Sequence, residues 1–298
     1  MLDLRAYLAE GAKAVEAVLD AVLPPADREP RPLHQAMRYS VFGGGKRLRP
    51  TLCLAACELV GGERDSVLPV AAALEMVHTY SLIHDDLPCM DDDALRRGRP
   101  TCHVAFGEAT AMLAGDALLT QAFVALGDWA AQGDWSAAVA VRVIGEIARG
   151  AGSFGMVGGQ ALDLAAEGQE RSLAELEAIH RLKTGALFGA ALRAGAIAGG
   201  AGEGELAAID RYAAEFGLAF QIRDDILDVV GDAARLGKPV RSDLKKHKAT
   251  YPAVVGLERA QILAGEAADR AAAALDGFSP GRAEPLRALV RLAVSREN

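Results

Sequence analysis

Apolar residues recur at three- and four-residue spacing along most of the chain, whereas runs alternating Val, Ile or Thr with polar residues are scarce. The first pattern lays one face of a helix against a core; the second would have marked half-buried strands. The spacing predicts an all-α fold, with helices over Arg49 to Val60, Ser66 to Ile83, Ala109 to Trp129, Trp135 to Gly150, Ser172 to Ala198, Glu203 to Val230 and Leu257 to Leu275. The N-terminal MLDLRAYLAEGAK alternates charge with Leu and Ala and also reads as helix. Ser172-Leu-Ala-Glu175 has the form of a capping box, in which the serine accepts from a backbone N–H and the glutamate reaches back to the cap. Breaks are expected at Leu23 to Pro32, Gly61-Gly62, Leu87 to Pro100, Gly199 to Gly204, Gly231 to Lys248 and Gly277 to Pro285. All are short or polar and no solenoid period is present, so residues 1–298 are expected to form a single helical domain.

Composition narrows the partners. Hydrophobic residues make up 51% of the 298, enough to bury a large core. With 40 acidic and 32 basic residues the net charge is -8, which argues against a nucleic-acid partner, since that needs a positive field over the phosphates. An acidic protein that handles anions must gather its cations locally. Cys53, Cys57, Cys89 and Cys102 form no CxxC pair, and a reducing, cytoplasmic setting is expected. Asp3 and Arg5 interrupt the place of an export signal, and no window offers the roughly 20 uninterrupted apolar residues of a membrane span, so the chain is expected to be soluble.

Two acidic clusters carry the candidate chemistry. In His84-Asp85-Asp86-Leu87-Pro88-Cys89-Met90-Asp91-Asp92-Asp93, closely spaced carboxylates make one another harder to ionise, and a hard cation would compensate. Pro88 should end the preceding helix, leaving Asp85 and Asp86 on its last turn and Asp91 on the outgoing loop. Read alone, the same run also suits a solvated acidic loop. Gln221, Asp224, Asp225 and Asp228 share one face of a second helix with apolar flanks, where an acidic stripe is costly without a cation. Two such clusters facing each other would suit magnesium bound jointly with a diphosphate.

Cations gather in three places: Gly43-Gly44-Gly45-Lys46-Arg47-Leu48-Arg49-Pro50, Arg96-Arg97-Gly98-Arg99, and Lys238 with Lys245, Lys246 and Lys248. Glycines beside cations suit a phosphate group, although the first run is not a nucleotide P-loop, since Ser40 and Arg47 stand where that motif needs Gly and Ser/Thr. Each cluster by itself also fits a solvated surface. His78 lies two turns before Asp85 on the same face and fits either a shared pocket or core packing. Lys183-Thr184 interrupts an apolar helix, where a lone lysine ordinarily snorkels outward.

From about Met37 to Gly256 the chain resembles the trans-polyprenyl diphosphate synthases, most closely bacterial farnesyl diphosphate synthases. The likeness rests on GGGKRLRP (Gly43 to Pro50), HDDLPCMDDDALRRGRPT (His84 to Thr101), GGQALDL (Gly158 to Leu164), KTGALF (Lys183 to Phe188), FQIRDDILD (Phe220 to Asp228) and GKPVRSDLKKHKATYP (Gly237 to Pro252). It implies an isoprenoid-synthase-type bundle of long helices around a central cavity, normally a homodimer. It also implies three Mg2+ ions, held by Asp85, Asp86 and Asp91 on one wall and Asp224 and Asp228 on the other. By the same likeness Gly45, Lys46, Arg49, His78 and Arg97 would hold isopentenyl diphosphate. Arg96, Lys183, Lys238 and Lys248 would grip an allylic diphosphate, dimethylallyl or geranyl, with Thr184 and Gln221 near the departing group. Arg241, where the family commonly has glycine, and Lys246-His247 depart from its pattern.

The implied reaction ionises the allylic diphosphate, adds the double bond of isopentenyl diphosphate to the cation and lets released pyrophosphate take the proton. Tyr80 and Ser81, five and four residues before Asp85, would set product length, with Tyr80 the floor; Tyr80 also fits ordinary core packing. An aromatic at that position with the inserted Pro88-Cys89 resembles synthases that stop at farnesyl diphosphate, geranylgeranyl diphosphate being the alternative product. A terpene cyclase would not need GGGKRLRP, and a non-catalytic regulatory subunit would have lost metal aspartates.

Overall fold

The computed structural model describes residues 2–132, 135–166, 168–169, 171–230 and 250–296, and helices dominate them. In chain order they are α1 (Leu4–Val22), α2 (Arg31–Val41), α3 (Leu48–Leu59), a 3-10 turn (Arg64–Val67) running into α4 (Leu68–Asp85), α5 (Cys102–Phe106), α6 (Glu108–Ala131), α7 (Ala137–Ala151), α8 (Met156–Ala166), α9 (Leu173–His180), a π turn (Arg181–Gly185), α10 (Ala186–Ala198), α11 (Glu203–Val230), α12 (Tyr251–Val255), α13 (Leu257–Ala273) and α14 (Pro280–Ser295). Among the described residues the strands are β1 (Leu95–Arg96) and β2 (Arg99–Pro100), an antiparallel pair inside the predicted Leu87 to Pro100 break.

The axis of the bundle is α4, in which every residue from Pro69 to Val77 is buried. A helix apolar on all sides belongs inside other helices, and α4 is packed by α1, α2, α3, α6 and α10. On the far side of α10, α11 packs against α10 and α13. Local signals start several helices: Asp3 caps α1 by accepting from the Ala6 N–H, Ser136 caps α7, and Ser172 with Glu175 forms the predicted capping box at α9.

The structure departs from the sequence expectations at three points. The helix expected from Ser172 to Ala198 is interrupted by the π turn at Arg181–Gly185, which carries Lys183 and Thr184. The break expected through Pro285 ends sooner, because α14 starts at Pro280, whose missing N–H is harmless at a helix start, and Pro285 is buried inside it. Helices α2, α5, α8, α12 and α14 lie where no element had been assigned; their glycines, prolines or shortness blur the helical period. Arg64–Asp85 and α6 are each long and apolar enough to cross a membrane by length and composition, but neither is an uninterrupted apolar run. The first is 72% buried, as a core helix should be, whereas α6 is 39% buried and exposes Met112, Leu113 and Val124.

Candidate active site

The acidic run begins where α4 stops. Pro88 cannot continue the helix, and the chain turns back on its end: the Asp86 N–H donates to the Leu82 carbonyl at 3.1 Å and the Asp91 N–H to the Asp85 carbonyl at 2.8 Å. Asp85 and Asp91 are thereby held close together. Partial burial, offset by Lys183 and reinforced by Asp91, raises the Asp85 carboxyl to about 6. A carboxylate raised in this way is relieved by a hard cation, so its chemistry fits magnesium. Among the described residues no three His, Cys, Asp or Glu side chains gather closely enough to bind a metal alone. Magnesium does not require that, since it commonly takes one or two carboxylates and completes its shell with water and phosphate oxygens.

Asp86 goes elsewhere. It is buried and accepts from Arg96 Nε and Nη2 at 2.6–2.8 Å, so the aspartate expected to bind metal and the arginine expected to grip a diphosphate are committed to each other. They line a small hollow beside Thr79 and Tyr39, while Asp85 faces a different cavity of about 460 Å³. That larger cavity runs from Asp85, Lys183 and Thr184 past Tyr80, Ser81 and His84 to Met112, Met156, Val157 and Leu164. Its lining is charged beside Asp85 and Lys183 and mainly apolar elsewhere, with Met112, Val157 and Leu164 reaching the surface.

Lys183 does not snorkel freely outward. Its ammonium donates to Asp163 of the GGQALDL segment at 2.6 Å, which aims it at the cavity beside Asp85. Gly159 makes this possible, because a Cβ there would overlap the Lys183 backbone; α8 presses directly on the π turn. Thr184 Oγ1 donates to Gln221 Oε1 at 2.8 Å, and Gln221 Nε2 donates to Asp225 at 3.0 Å. Asp225, buried, also accepts from the Tyr251 N–H at 2.9 Å, so this aspartate joins helices and does not face a ligand. Asp224 accepts from Arg296 Nη2 at 2.6 Å, and Asp228 is buried one turn further along α11.

A second hollow of about 550 Å³ is lined by Gly43 to Arg49, Glu75, His78, Arg97, Phe220 and Arg296. Arg49 and His78 border both cavities, and Asp224 acts electrostatically on Arg49 and Lys46, which puts the second acidic cluster near this hollow. Gly44 and Gly45 take φ of +91° and +126°, which side chains resist, and a Cβ on Gly45 would overlap the Arg97 guanidinium that donates to the Gly44 carbonyl. Desolvation and nearby Arg296 lower the Lys46 ammonium, desolvation lowers Arg97, and burial brings Arg49 down to about 10. Lys46 and Arg97 stay open to solvent, but the cations of this cluster repel one another, and an anion would relieve that repulsion.

Arg47 differs from its neighbours. It is turned inward, donating to Glu75 at 2.6 Å, Glu16 at 3.0 Å and the Val41 carbonyl at 2.8 Å. Breaking a buried pair costs about 3–5 kcal/mol, more than the roughly 1.5–3 kcal/mol of one hydrogen bond to a charged group, so Arg47 anchors the loop while Lys46 and Arg49 border the hollow. Arg49 Nη1 donates to His78 Nε2 at 3.2 Å, and its guanidinium lies 4.5 Å from the Phe188 ring centroid. Arg49 Nε and His78 Nδ1 are buried with no hydrogen-bond partner among the described residues.

Lys238, Lys248, Arg241, Lys246 and His247 lie outside the described residues. Asp163, the partner of Lys183, lies within the GGQALDL segment but is not singled out by the sequence. Nor are Glu75 and Arg296, which carry no local signal because they reach the site only through helix packing.

A helical bundle whose cavity carries carboxylates, an apolar wall and a neighbouring cluster of cations defines a class of protein suited to molecules with an anionic head and a hydrocarbon tail. Residues 30–274 match the polyprenyl synthetase family, to which the chain belongs, and it is a trans-prenyltransferase. It is 46% identical over 299 residues to the large subunit 1 of the heterodimeric geranylgeranyl pyrophosphate synthase of Arabidopsis thaliana chloroplasts, covering 99% of this chain and 80% of the relative. The crystal structure of an FPP/GFPP synthase from Zymomonas mobilis is 41% identical, with a TM-score of 0.87 over 98% of this chain and 99% of the other. A geranyltransferase from Helicobacter pylori, complexed with magnesium and isoprenyl diphosphate, is 33% identical, with a TM-score of 0.86 over 98% and 97% of the two chains.

Burial and, secondly, Arg49 hold His78 well below the usual imidazole value. The unfolded chain therefore takes up a proton at this position as pH falls through about 6.5, while the folded chain does not. His78 is thus expected to diminish stability below that pH, by up to about 1.4 kcal/mol per pH unit, and not above it. Urea unfolding of wild type and His78→Gln between pH 8 and 5 checks this: their difference should shift in favour of the variant only on the acid side.

Proposed function

We propose that this trans-prenyltransferase condenses isopentenyl diphosphate with dimethylallyl and then geranyl diphosphate, releases pyrophosphate, and stops chiefly at trans,trans-farnesyl diphosphate. The observation that carries the reading is the cavity of about 460 Å³ whose lining brings Asp85, Lys183 and Thr184 together with Tyr80, Met156 and other apolar side chains. An allylic diphosphate suits that cavity, beside Lys183. Isopentenyl diphosphate suits the adjoining hollow, where Lys46, Arg49 and Arg97 supply charge and His78 and Arg49 have buried nitrogens to offer.

Asp85, Asp91, Asp224 and Asp228 would hold magnesium, which when bound neutralises the departing pyrophosphate as a Lewis acid. Thr184 and Gln221, fixed by their mutual hydrogen bond, hold oxygen atoms beside the allylic cation left behind. The double bond of isopentenyl diphosphate then attacks that cation, and the released pyrophosphate accepts the proton. Tyr80 and Met156, both buried, put apolar surface on the cavity wall, which disfavours water beside the cation.

Pyrophosphate release is expected to require both an allylic diphosphate and isopentenyl diphosphate, with magnesium present. Asp85→Asn should lower kcat by about 10²–10³-fold without loss of helical circular dichroism. Release from the allylic substrate alone would favour a cyclase and count against this reading.

Tyr80 supports the fifteen-carbon stop. It lies about 7.5 Å below Asp85 along the α4 axis, is 5% exposed and lines the cavity. A twenty-carbon product is the second reading, favoured by the 46% identity to the Arabidopsis geranylgeranyl pyrophosphate synthase subunit. Chromatography of dephosphorylated products is expected to show longer chains from Tyr80→Ala; a wild-type profile would remove Tyr80 as the floor.

The same reading includes a homodimer. Its support is the exposed apolar surface of α6, where Leu113 is 57% exposed, together with Phe154, which is 91% exposed. Sedimentation velocity should give twice the mass of one chain, shifting toward one chain in Leu113→Glu; a monomeric wild type would refute the dimer.

A further inference from the structure

The ring of Tyr80 does not hang alone in the cavity wall. It meets the imidazole of His84 edge to face, with centroids 5.7 Å apart and planes at 77°. His84 is itself braced against α6: Nε2–H donates to the Met112 carbonyl at 3.0 Å, with Asp116 Oδ1 3.9 Å away. The imidazole lies directly on Gly115, where a Cβ would overlap the ring. Gly115 is buried in α6, which packs along α4, and lies against His84 near the C-terminal end of α4, so there is no loop to yield if that space is filled. An α6 backbone stripped of its side chain thus supports an imidazole, and the imidazole supports the aromatic ring in the cavity wall.

The geometry points to His84 and Gly115 as positioning residues for product length: His84, seated on the bare Gly115 backbone, sets how far the Tyr80 ring projects into the cavity. The inference rests on Tyr80 being the floor and adds what holds that floor in place. His84 belongs to the acidic motif by sequence, but its imidazole is used against α6. The side chain at position 84 therefore acts on length through Tyr80, and the residue at 115 acts through His84.

The two substitutions should work in opposite senses. His84→Ala removes the support, lets the Tyr80 ring withdraw, and should shift the product ratio toward longer chains by about two- to tenfold, the range one aromatic contact supports. Gly115→Ala pushes the imidazole off α6 toward Tyr80 and should shift the ratio toward shorter chains. Products are measured at low conversion and saturating magnesium, beside Tyr80→Ala. In a Tyr80→Ala background, His84→Ala should lengthen the product no further. That epistasis separates positioning from a general loosening of the fold, which would act with or without Tyr80. If Gly115→Ala folds poorly, Gly115→Ala/His84→Ala should recover folding, because the overlapping ring is gone, and should give the long-chain profile of His84→Ala. Wild-type profiles for His84→Ala and Gly115→Ala, or shifts opposite to those stated, overturn the support while leaving the floor intact if Tyr80→Ala still lengthens the product. A Tyr80→Ala profile identical to wild type removes the floor and this inference with it.

Discussion

Like charges brought together at the edge of an apolar cavity are the constraint on which the rest of the structure depends. Asp85 and Asp91 are held close by a backbone hydrogen bond across the acidic loop, and Lys46, Arg49 and Arg97 crowd around His78 and the glycine turn. Neither group is comfortable alone: partial burial raises the carboxyl of Asp85 and lowers the guanidinium of Arg49. The folding energy of α4 and its neighbours keeps both in place. A ligand that brings a divalent cation to one and phosphate oxygens to the other relieves both strains together, which is how the packing of a helical bundle becomes affinity for a diphosphate.

Adjacent residues of one type divide the labour. Lys46 and Arg49 border the hollow while Arg47 between them is sealed against Glu75 and Glu16. Asp85 faces the large cavity, whereas Asp86 is locked to Arg96; Asp224 meets Arg296 at the edge of the site, whereas Asp225 pins Gln221 and the start of α12. In each case a neighbour placed about 100° further round the helix, or one residue on in a turn, meets a different environment. A buried charge locked to a partner serves the fold, while its neighbour lies at the cavity or its edge.

The π turn at Arg181–Gly185 shows how backbone irregularity serves the site. An extra residue in the turn interrupts the α-helical register between α9 and α10, at the point where Lys183 must reach Asp163 on one side and Thr184 must reach Gln221 on the other. Gly159 contributes by having no side chain, since α8 could not otherwise approach closely enough for Asp163 to hold the lysine.

The amino-acid sequence by itself determined the helical class, because apolar spacing is a local property, and it determined the reaction chemistry, because the aspartates and cations are concentrated in short motifs. The capping box at Ser172 and the end of α4 at Pro88 were legible for the same reason: each depends on residues within one turn. Tertiary structure decided which members of those motifs face the cavity. Whether Asp86 meets Arg96 or a ligand, whether Arg47 points inward, and whether Lys183 finds Asp163 all depend on helices distant in sequence that pack together. A motif specifies which groups are available, and only the contacts made when α4, α8, α10 and α11 close around one another determine which groups are already engaged.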